Sequence, residues 1–417
     1  MSAIRIILER RSGRVEAAIA RDDRLVDFRT APFGDEPAED VTGRLFLARV
    51  TALDRHVDGA FLDIGGDRPG FVLARDARHA AAPTATKGRA RSVLEEGRSL
   101  LVQGIREAEG DKGPRMTAGP ALDGRFLVMR PGRSGIDASP GLRGRARDET
   151  LGRAATLLDA GHGWTLRRLA ADVDDPLLTE DAGLLLRTWR EKQALLDGTR
   201  TKPGALAGAL EPFEALIWRL LDQPTASIEA ADDGLLTRLR RMLALLPEPL
   251  RCDLERLDPA SGAFEQTGVL EEIERATARE LPLAGGGRII VEHTAACTAI
   301  DVDGGGRAAL DVDLEAAAEI GLQLRLRNIG GTVIVDFVDL PTRPQRQRLE
   351  EALRKAVRGD PMPVQIYPMS PLGIVQLSRT RRGATPLIGS PGSHPGTKSP
   401  GRTKPCPACA GRGTVGR

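Results

Sequence analysis

Thr298-Ala-Ile-Asp-Val-Asp303, then Gly304-Gly-Gly306, and further on Gly330-Gly-Thr-Val-Ile-Val-Asp-Phe-Val-Asp-Leu340 carry the strongest pattern in this sequence. Residues 288–292 and 298–303 read as strands, 314–327 as a helix, and 332–338 as a β-branched strand after the helix-stopping Gly330-Gly331. Asp301 and Asp303 stand two apart on a strand, so their carboxylates project from one face. Asp336 interrupts an apolar run, where an ionised carboxylate is costly unless something positive compensates it. A neighbouring parallel strand would set it beside Asp301. Carboxylates so clustered repel one another, and a hard, oxygen-preferring divalent cation removes that penalty. Magnesium held there would activate water and stabilise a phosphodiester transition state. The spacing equally admits a structural reading, in which Asp301 and Asp303 cap a turn and Asp336 pairs with Arg325 or Arg327.

Upstream, residues 3–8, 14–19 and 25–28 read as short strands separated by Ser-Gly and Asp-Asp turns. A second strand-rich segment, from Gly43 to about Met116, has turn signals at the regular spacing of a small barrel. Within it Ala60, Leu62 and Ile64 face one way, and Phe61 faces the other with Asp63. Phe61 is thus a candidate surface aromatic, Phe71 a second, and Lys112 a cation in the loop 110–113. Aromatic platforms with cations bind single strands, because every base has a stackable face and every nucleotide a phosphate. Both rings placed in the core is the alternative. From 117 to 200 the pattern is mixed, with a strand at 125–129 and a helix at 181–196. From 205 to 278 it reads as mainly helical, at 206–221 and 235–246. Residues 343–358 read as a basic helix, its face either solvated or set against an RNA backbone. Beyond about 384 the chain is rich in Gly, Pro, Ser and Thr, as a flexible linker would be.

A chain of 417 residues, 41% hydrophobic, exceeds one ordinary core and divides into several domains. The net charge of +2, from 60 basic and 58 acidic side chains, gives no global argument for a nucleic-acid partner, so distribution must decide. Only seven of the basic residues are Lys. Arginine forks suit phosphates and bases, although genomic base composition explains the bias equally well. No apolar run approaches the roughly 18 residues of a membrane span. Arg5, Glu9, Arg10 and Arg11 arrive before any signal-peptide core could form, so a cytoplasmic protein is expected. Four cysteines make no disulfide framework. Cys252 and Cys297 read as buried small hydrophobes.

At the residues quoted first, the chain resembles the RNase E/G family. That family carries T-x-I-D-V-N, then N-L-E-A-A-x-E-I-A-x-Q-L-R-L-R, then G-G-x-I-I-I-D-F-I-D-M. Here these stand as Thr298 to Asp303, Asp313-Leu-Glu-Ala-Ala-Ala-Glu-Ile-Gly-Leu-Gln-Leu-Arg-Leu-Arg327, and Gly330 to Leu340. Gly59-Ala-Phe-Leu-Asp-Ile-Gly65, Pro69-Gly-Phe71 and Asp111-Lys-Gly113 resemble the family's RNA-binding barrel. The resemblance implies magnesium ligands at Asp301 and Asp336, with Asp303 at the place of an active-site Asn. It makes Phe61, Phe71 and Lys112 RNA contacts. It sets Gly124, Val128 and Arg167 in a sensor for 5′-monophosphorylated RNA, where Arg168 replaces the usual Thr and Pro363 a further Arg. Arg167 and Arg168 could together bind phosphate in another geometry.

The implied fold is α+β and multidomain. It comprises an RNase H-like part in two segments (1–38 and 205–278), an inserted OB-type RNA-binding barrel (39–118), a 5′-sensor-like subdomain (119–204) and a DNase I-like catalytic subdomain (279–390). A linker and zinc-link tail close it (391–417). In that tail Pro405-Cys-Pro-Ala-Cys409 supplies two of the four ligands zinc needs. The residues alone admit a redox dithiol or a site completed by His394. The resemblance implies one zinc shared by Cys406 and Cys409 of two subunits, hence a homodimer. The chain ends shortly after this motif, so the family's small C-terminal domain is expected to be absent.

The expected function is magnesium-dependent endoribonucleolytic cleavage of single-stranded RNA in processing or decay. The competing class is an RNA-binding member with weak or no catalysis, suggested by the altered sensor and Asp303. A metal-dependent DNA nuclease is a third, against which the barrel motif argues.

Overall fold

Two-residue turns with left-handed backbone fold the first thirty residues into a meander. Strand Ile4–Arg11 turns at Ser12 (φ 46°) and Gly13 (φ 73°) into Arg14–Arg21, which turns at Asp22 (φ 50°) and Asp23 (φ 59°) into Arg24–Pro32. Paired positive-φ residues match the twist of antiparallel strands, and Gly and Asp tolerate that conformation. In the computed structural model the described residues are 4–34, 41–77, 94–108, 112–196, 202–294, 296–370 and 372–380. They fall into two compact units, one running to Glu272 and including Pro361–Val364, the other formed by Ile273–Asp360 and Gln365–Ser378.

In the first unit the meander continues into a five-stranded mixed sheet. Strand Thr225–Ala230 lies parallel to Ile4–Arg11, and Asp253–Arg256 lies parallel to Thr225–Ala230. The segment 205–278 is mostly helical, with Pro212–Leu220, Asp233–Leu243, Ala263–Gln266 and Val269–Thr277, but it also contributes these two strands to the sheet. The two strands escape a hydrophobicity reading because the longer one buries Ser227 and Glu229. Glu229 is tolerated there because Arg5 reaches it at 2.7 Å and Ser227 donates to it at 2.9 Å.

The next strands close on themselves. Leu45–Asp54 pairs with Gly59–Asp63, that with Gly70–Leu73, then Arg115–Thr117, then Ser99–Arg106, which pairs back onto Leu45–Asp54. This five-stranded barrel fits an OB-type domain, and a short strand Gly204–Leu206 extends it. Its interior holds Phe46, Val50, Leu62, Val72, Val102 and Met116. A four-stranded sheet follows, in the order Ile136–Ala138, Gly163–Leu166, Leu127–Arg130, Leu122–Asp123. Helices Gly144–Leu157 and Asp175–Ala194 accompany it. The second helix begins six residues before the expected 181, where Asp174 caps it by accepting from the Leu177 N–H at 3.1 Å.

The second unit is a six-stranded sheet ordered Glu280–Pro282, Arg288–His293, Thr298–Asp303, Gly331–Asp336, Ile374–Arg379, Val364–Ile366, with helices Ala309–Leu326 and Arg343–Val357. Strand Thr298–Asp303 has its expected bounds. Helix Ala309–Leu326 starts before the expected 314, and strand Gly331–Asp336 ends before the expected 338. The Arg343–Val357 helix buries Leu349, Leu353 and Val357 and starts on a capping box formed by Thr342 and Gln345. No helix among the described residues is long and apolar enough to cross a membrane. Cys406, Cys409 and His394 lie outside the described residues.

Candidate functional site

Strand alternation brings two carboxylates side by side. On Thr298–Asp303 the residues Thr298, Ile300 and Val302 point inward, and Ala299, Asp301 and Asp303 point out. On Gly331–Asp336, Val333 and Val335 are buried while Asp336 is exposed. The two strands are parallel, with Asp301 directly opposite Asp336. Neighbouring strands lie about 4.8 Å apart, so one ion can reach both side chains. No basic group lies within ion-pair distance of either aspartate among the described residues. The alternative pairing of Asp336 with Arg325 or Arg327 is not formed. Arg327 donates to Gln323 Oε1 at 2.7 Å and to the Ala278 carbonyl, and Arg325 donates to the Ala356 carbonyl.

Asp303 is placed differently. Its neighbour across the antiparallel pair is Arg288, whose Nη2 lies 3.0 Å from Oδ2, and its Oδ1 accepts the Gly305 N–H at 3.1 Å. It is compensated by the protein, whereas Asp301 and Asp336 are not. Among the described residues, no group of three or more His, Cys, Asp or Glu side chains is disposed to hold a metal ion. Two carboxylates with the remaining positions left to water suit magnesium, which sheds water reluctantly and is commonly bound through one or two carboxylates. The donor set fits such an ion, and Asp301 and Asp336 are the residues that could hold it.

Asp313 was not singled out from the sequence as chemistry, yet it stands close to this strand end. Fully buried on helix Ala309–Leu326, it accepts the Val338 N–H at 3.1 Å through Oδ1, and Oδ2 has no hydrogen-bond partner. Burial pushes its pKa up to about 7, and the Val338 bond only partly offsets this. The quoted phrase held the signal, since Asp313 occupies the place of an Asn there. Burial that depends on helix packing could not be read from one sequence.

On the barrel, Phe61 and Phe71 lie directly opposite each other on adjacent antiparallel strands, their rings 5.1 Å apart in an edge-to-face arrangement. Phe61 is 39% exposed and Phe71 half-buried, so neither belongs to the barrel interior. Arg115, paired with Phe71 on the far side, sets its guanidinium 5.6 Å from the Phe71 ring centre and bonds Asp76 at 2.9 Å. The three side chains make a row of two aromatics and a cation on the outer face. Arg115 was missed because its neighbours lie about forty positions away in the chain. Lys112 is exposed.

The residues matched to a sensor are largely occupied within the protein. A Cβ at Gly124 would lie 2.6 Å from Asp181 Oδ2. Buried Asp181 accepts the Arg125, Phe126 and Leu127 N–H groups at 2.9, 2.9 and 3.1 Å. Burial raises its pKa, and those three bonds oppose the shift. Gly124 is thus glycine for packing. Val128 is half-buried in the sheet, opposite Asp123 and Thr165. Arg167, 5% exposed, bonds Asp123 Oδ1 at 2.6 Å, and Arg219 takes Oδ2 of the same carboxylate at 2.7 Å. Arg168 turns to the loop at 221–222. Its N–H bonds Asp222 Oδ1, and its guanidinium donates to the Asp222 and Leu221 carbonyls, each at 3.1 Å. The two arginines therefore serve different internal partners.

Comparisons with known proteins point to one family. The profile described as "Ribonuclease E/G family" matches residues 121–382, more than half of the chain. Ribonuclease G of Salmonella typhimurium (strain SL1344) is 29% identical over 401 residues, covering 91% of this chain and 78% of that protein. Ribonuclease E of Escherichia coli (strain K12) is 29% identical over 418 residues, which are 96% of this chain and 38% of the other. Ribonuclease E of Nostoc sp. (strain PCC 7120) is 30% identical over 394 residues, 89% of this chain and 54% of the other.

Proposed function

The chain belongs to the ribonuclease E/G family, and on that premise we propose that it is a magnesium-dependent endoribonuclease acting on single-stranded RNA. The observation that carries the reading is the register of Asp301 against Asp336, which sets two uncompensated carboxylates on one sheet face. The reaction is hydrolysis of a phosphodiester bond. Magnesium, when bound, supplies Lewis-acid stabilisation of the developing phosphorane charge and a more acidic water. Asp301 and Asp336 hold it, and Arg288 keeps Asp303 turned toward its own guanidinium at the edge of the site. Phe61 and Phe71 offer base-stacking faces, Lys112 offers charge to the RNA backbone, and Arg115, held by Asp76, supports the Phe71 ring.

The same family membership supports the finer architecture: RNase H-like segments at 1–38 and 205–278, the barrel at 39–118, a sensor-like sheet at 119–204, a DNase I-like part at 279–390, and a tail at 391–417. It also supports a cytoplasmic setting and a homodimer closed by one zinc on Cys406 and Cys409 of two copies. Tetrahedral zinc needs four ligands and each tail has two thiolates. Metal analysis with sedimentation should give one zinc per two chains, and one zinc per chain contradicts the shared site. For the activity, the purified chain is incubated with an end-labelled AU-rich single strand, with magnesium or with EDTA. Internal cleavage only with magnesium supports the reading; cleavage unaffected by EDTA, or none under any divalent ion, overturns it.

A further inference from the structure

The four-stranded sheet carries a second arrangement of arginines that the residues matched to a sensor do not include. Strand Leu127–Arg130 ends in Arg130-Pro131-Gly132-Arg133. Proline at the second position and glycine at the third, with φ +73° at Gly132, are the marks of a type II turn. The Arg133 N–H donates to the Arg130 carbonyl at 3.3 Å and closes it. Such a turn brings its first and fourth residues within about 7 Å, so the two arginines emerge together. Between their stems lies Gly163, the cross-strand partner of Arg130. A Cβ there would sit 3.0 Å from Arg133 Cβ and 3.6 Å from Arg130 Cβ.

Neither guanidinium has a carboxylate within ion-pair distance among the described residues. Asp123 and Asp137 are the nearby acids, and both are engaged elsewhere. Asp123 shares its two oxygens between Arg167 and Arg219, while Asp137 accepts the Ala138 N–H at 2.8 Å and lies 3.8 Å from Arg147. Arg130 is half-buried and donates to the Thr165 hydroxyl. Burial first, and the Arg133 charge second, lower its pKa, and the more distant Asp123 and Asp137 charges only partly oppose this. The Thr165 hydroxyl accepts from Arg130 and keeps its own proton for another acceptor.

We propose that Arg130, Arg133 and Thr165 form an anion site for a phosphate group, reading either the 5′-terminal monophosphate or an internal phosphodiester of an RNA strand. Two planar forks and a hydroxyl match the several oxygens of a phosphate, and the turn fixes both forks before the ligand arrives. The RNA identity rests on the function proposed above; the anion site itself does not.

Arg133 is exposed, so Arg133→Ser tests the site with little risk to folding, and Arg130→Met with Arg133→Ser removes it. Inorganic phosphate, compared with chloride at equal ionic strength, should raise the unfolding midpoint of the wild-type chain and not that of the double variant. An equal shift in both overturns the proposal. With fluorescent RNA, the double variant should bind roughly tenfold or more weakly. Its salt slope should fall by about 0.7 for each phosphate that is no longer neutralised. Weakening confined to 5′-monophosphorylated RNA identifies the terminal group, and equal weakening on 5′-hydroxyl RNA identifies an internal one. Unchanged affinity and slope sink the proposal. Cleavage is not the readout: wild-type chain that is stabilised by phosphate yet binds no RNA would refute the nuclease reading and leave the anion site standing.

Discussion

The strand pair at Asp301 and Asp336 and the sheet around Arg167 treat charge in opposite ways. Around Arg167 every matched charge has an internal partner: Arg167 and Arg219 share Asp123, and Arg168 is bound to the loop at 221–222. At the strand pair, two like charges are placed side by side, and among the described residues no basic side chain lies within ion-pair distance of either. Charge that is compensated inside a protein works for the fold, and charge left uncompensated on an element of fixed geometry such as a paired strand is available to a ligand. A match of residue type alone does not separate these two cases.

The largest effect that would break this contrast lies at the pair itself. Asp301→Asn and Asp336→Asn should each lower the cleavage rate by roughly a thousandfold or more, the scale of losing a metal's stabilisation. RNA affinity and the unfolding midpoint should stay level or rise, since a repulsion is relieved. Full activity in both variants would remove the site. Asp303→Asn, which Arg288 already compensates, should change the rate far less; a loss equal to that of Asp301→Asn would place Asp303 among the ligands.

Asp313 extends the uncompensated class to the interior. Its pKa is raised to about 7 by burial, against about 3.9 for an unfolded Asp. The native state therefore holds the proton more tightly than the unfolded state. The stability this contributes is complete below about pH 4 and is lost as pH rises through about 7. Asp313→Asn should be more stable than wild type at pH 8, on the order of 4 kcal/mol, with little difference near pH 4. Parallel pH profiles of the two midpoints would show that Asp313 is compensated after all.

How far this contrast is legible in the sequence follows from range along the chain. Alternation with period two is enough to turn Asp301, Asp336 and Phe61 outward, and the Ser-Gly and Asp-Asp turns are enough to mark the meander. Relations made by chain closure leave no such local trace. Arg115 meets Phe71 only when the barrel forms, Asp181 explains Gly124 across more than fifty residues, and Arg5 rescues Glu229 in a strand that resembled no strand. Arg130 and Arg133 are local, with a turn signature in plain view. Their meaning still escapes a sequence reading, because it lies in the carboxylates that fail to reach them.

Smaller effects sharpen the compensated side. Arg167→Met should cost about 2 kcal/mol of stability, less than the roughly 3–5 kcal/mol of an orphaned buried charge, because Arg219 still holds Asp123. Denaturant unfolding measures it. A loss of RNA affinity with unchanged stability would return Arg167 to the binding site. Phe61→Ala should weaken single-strand binding by roughly 1 to 2 kcal/mol with little change in the unfolding midpoint. The reverse outcome, unchanged affinity and a large drop in midpoint, would assign the ring to packing.

The carboxylate pair also depends on a length. Two residues after helix Ala309–Leu326 comes Asn328, whose φ of 47° turns the chain, and strand Gly331–Asp336 starts on a glycine at φ 86°. Those few residues count out where the strand begins, and the count decides which side of the sheet each residue faces. One residue inserted between Asn328 and Gly331, with pairing restored from the new start, would present Val335 to solvent and turn Asp336 inward. The spacing of this turn is as much a part of the site's heritable specification as the two aspartates.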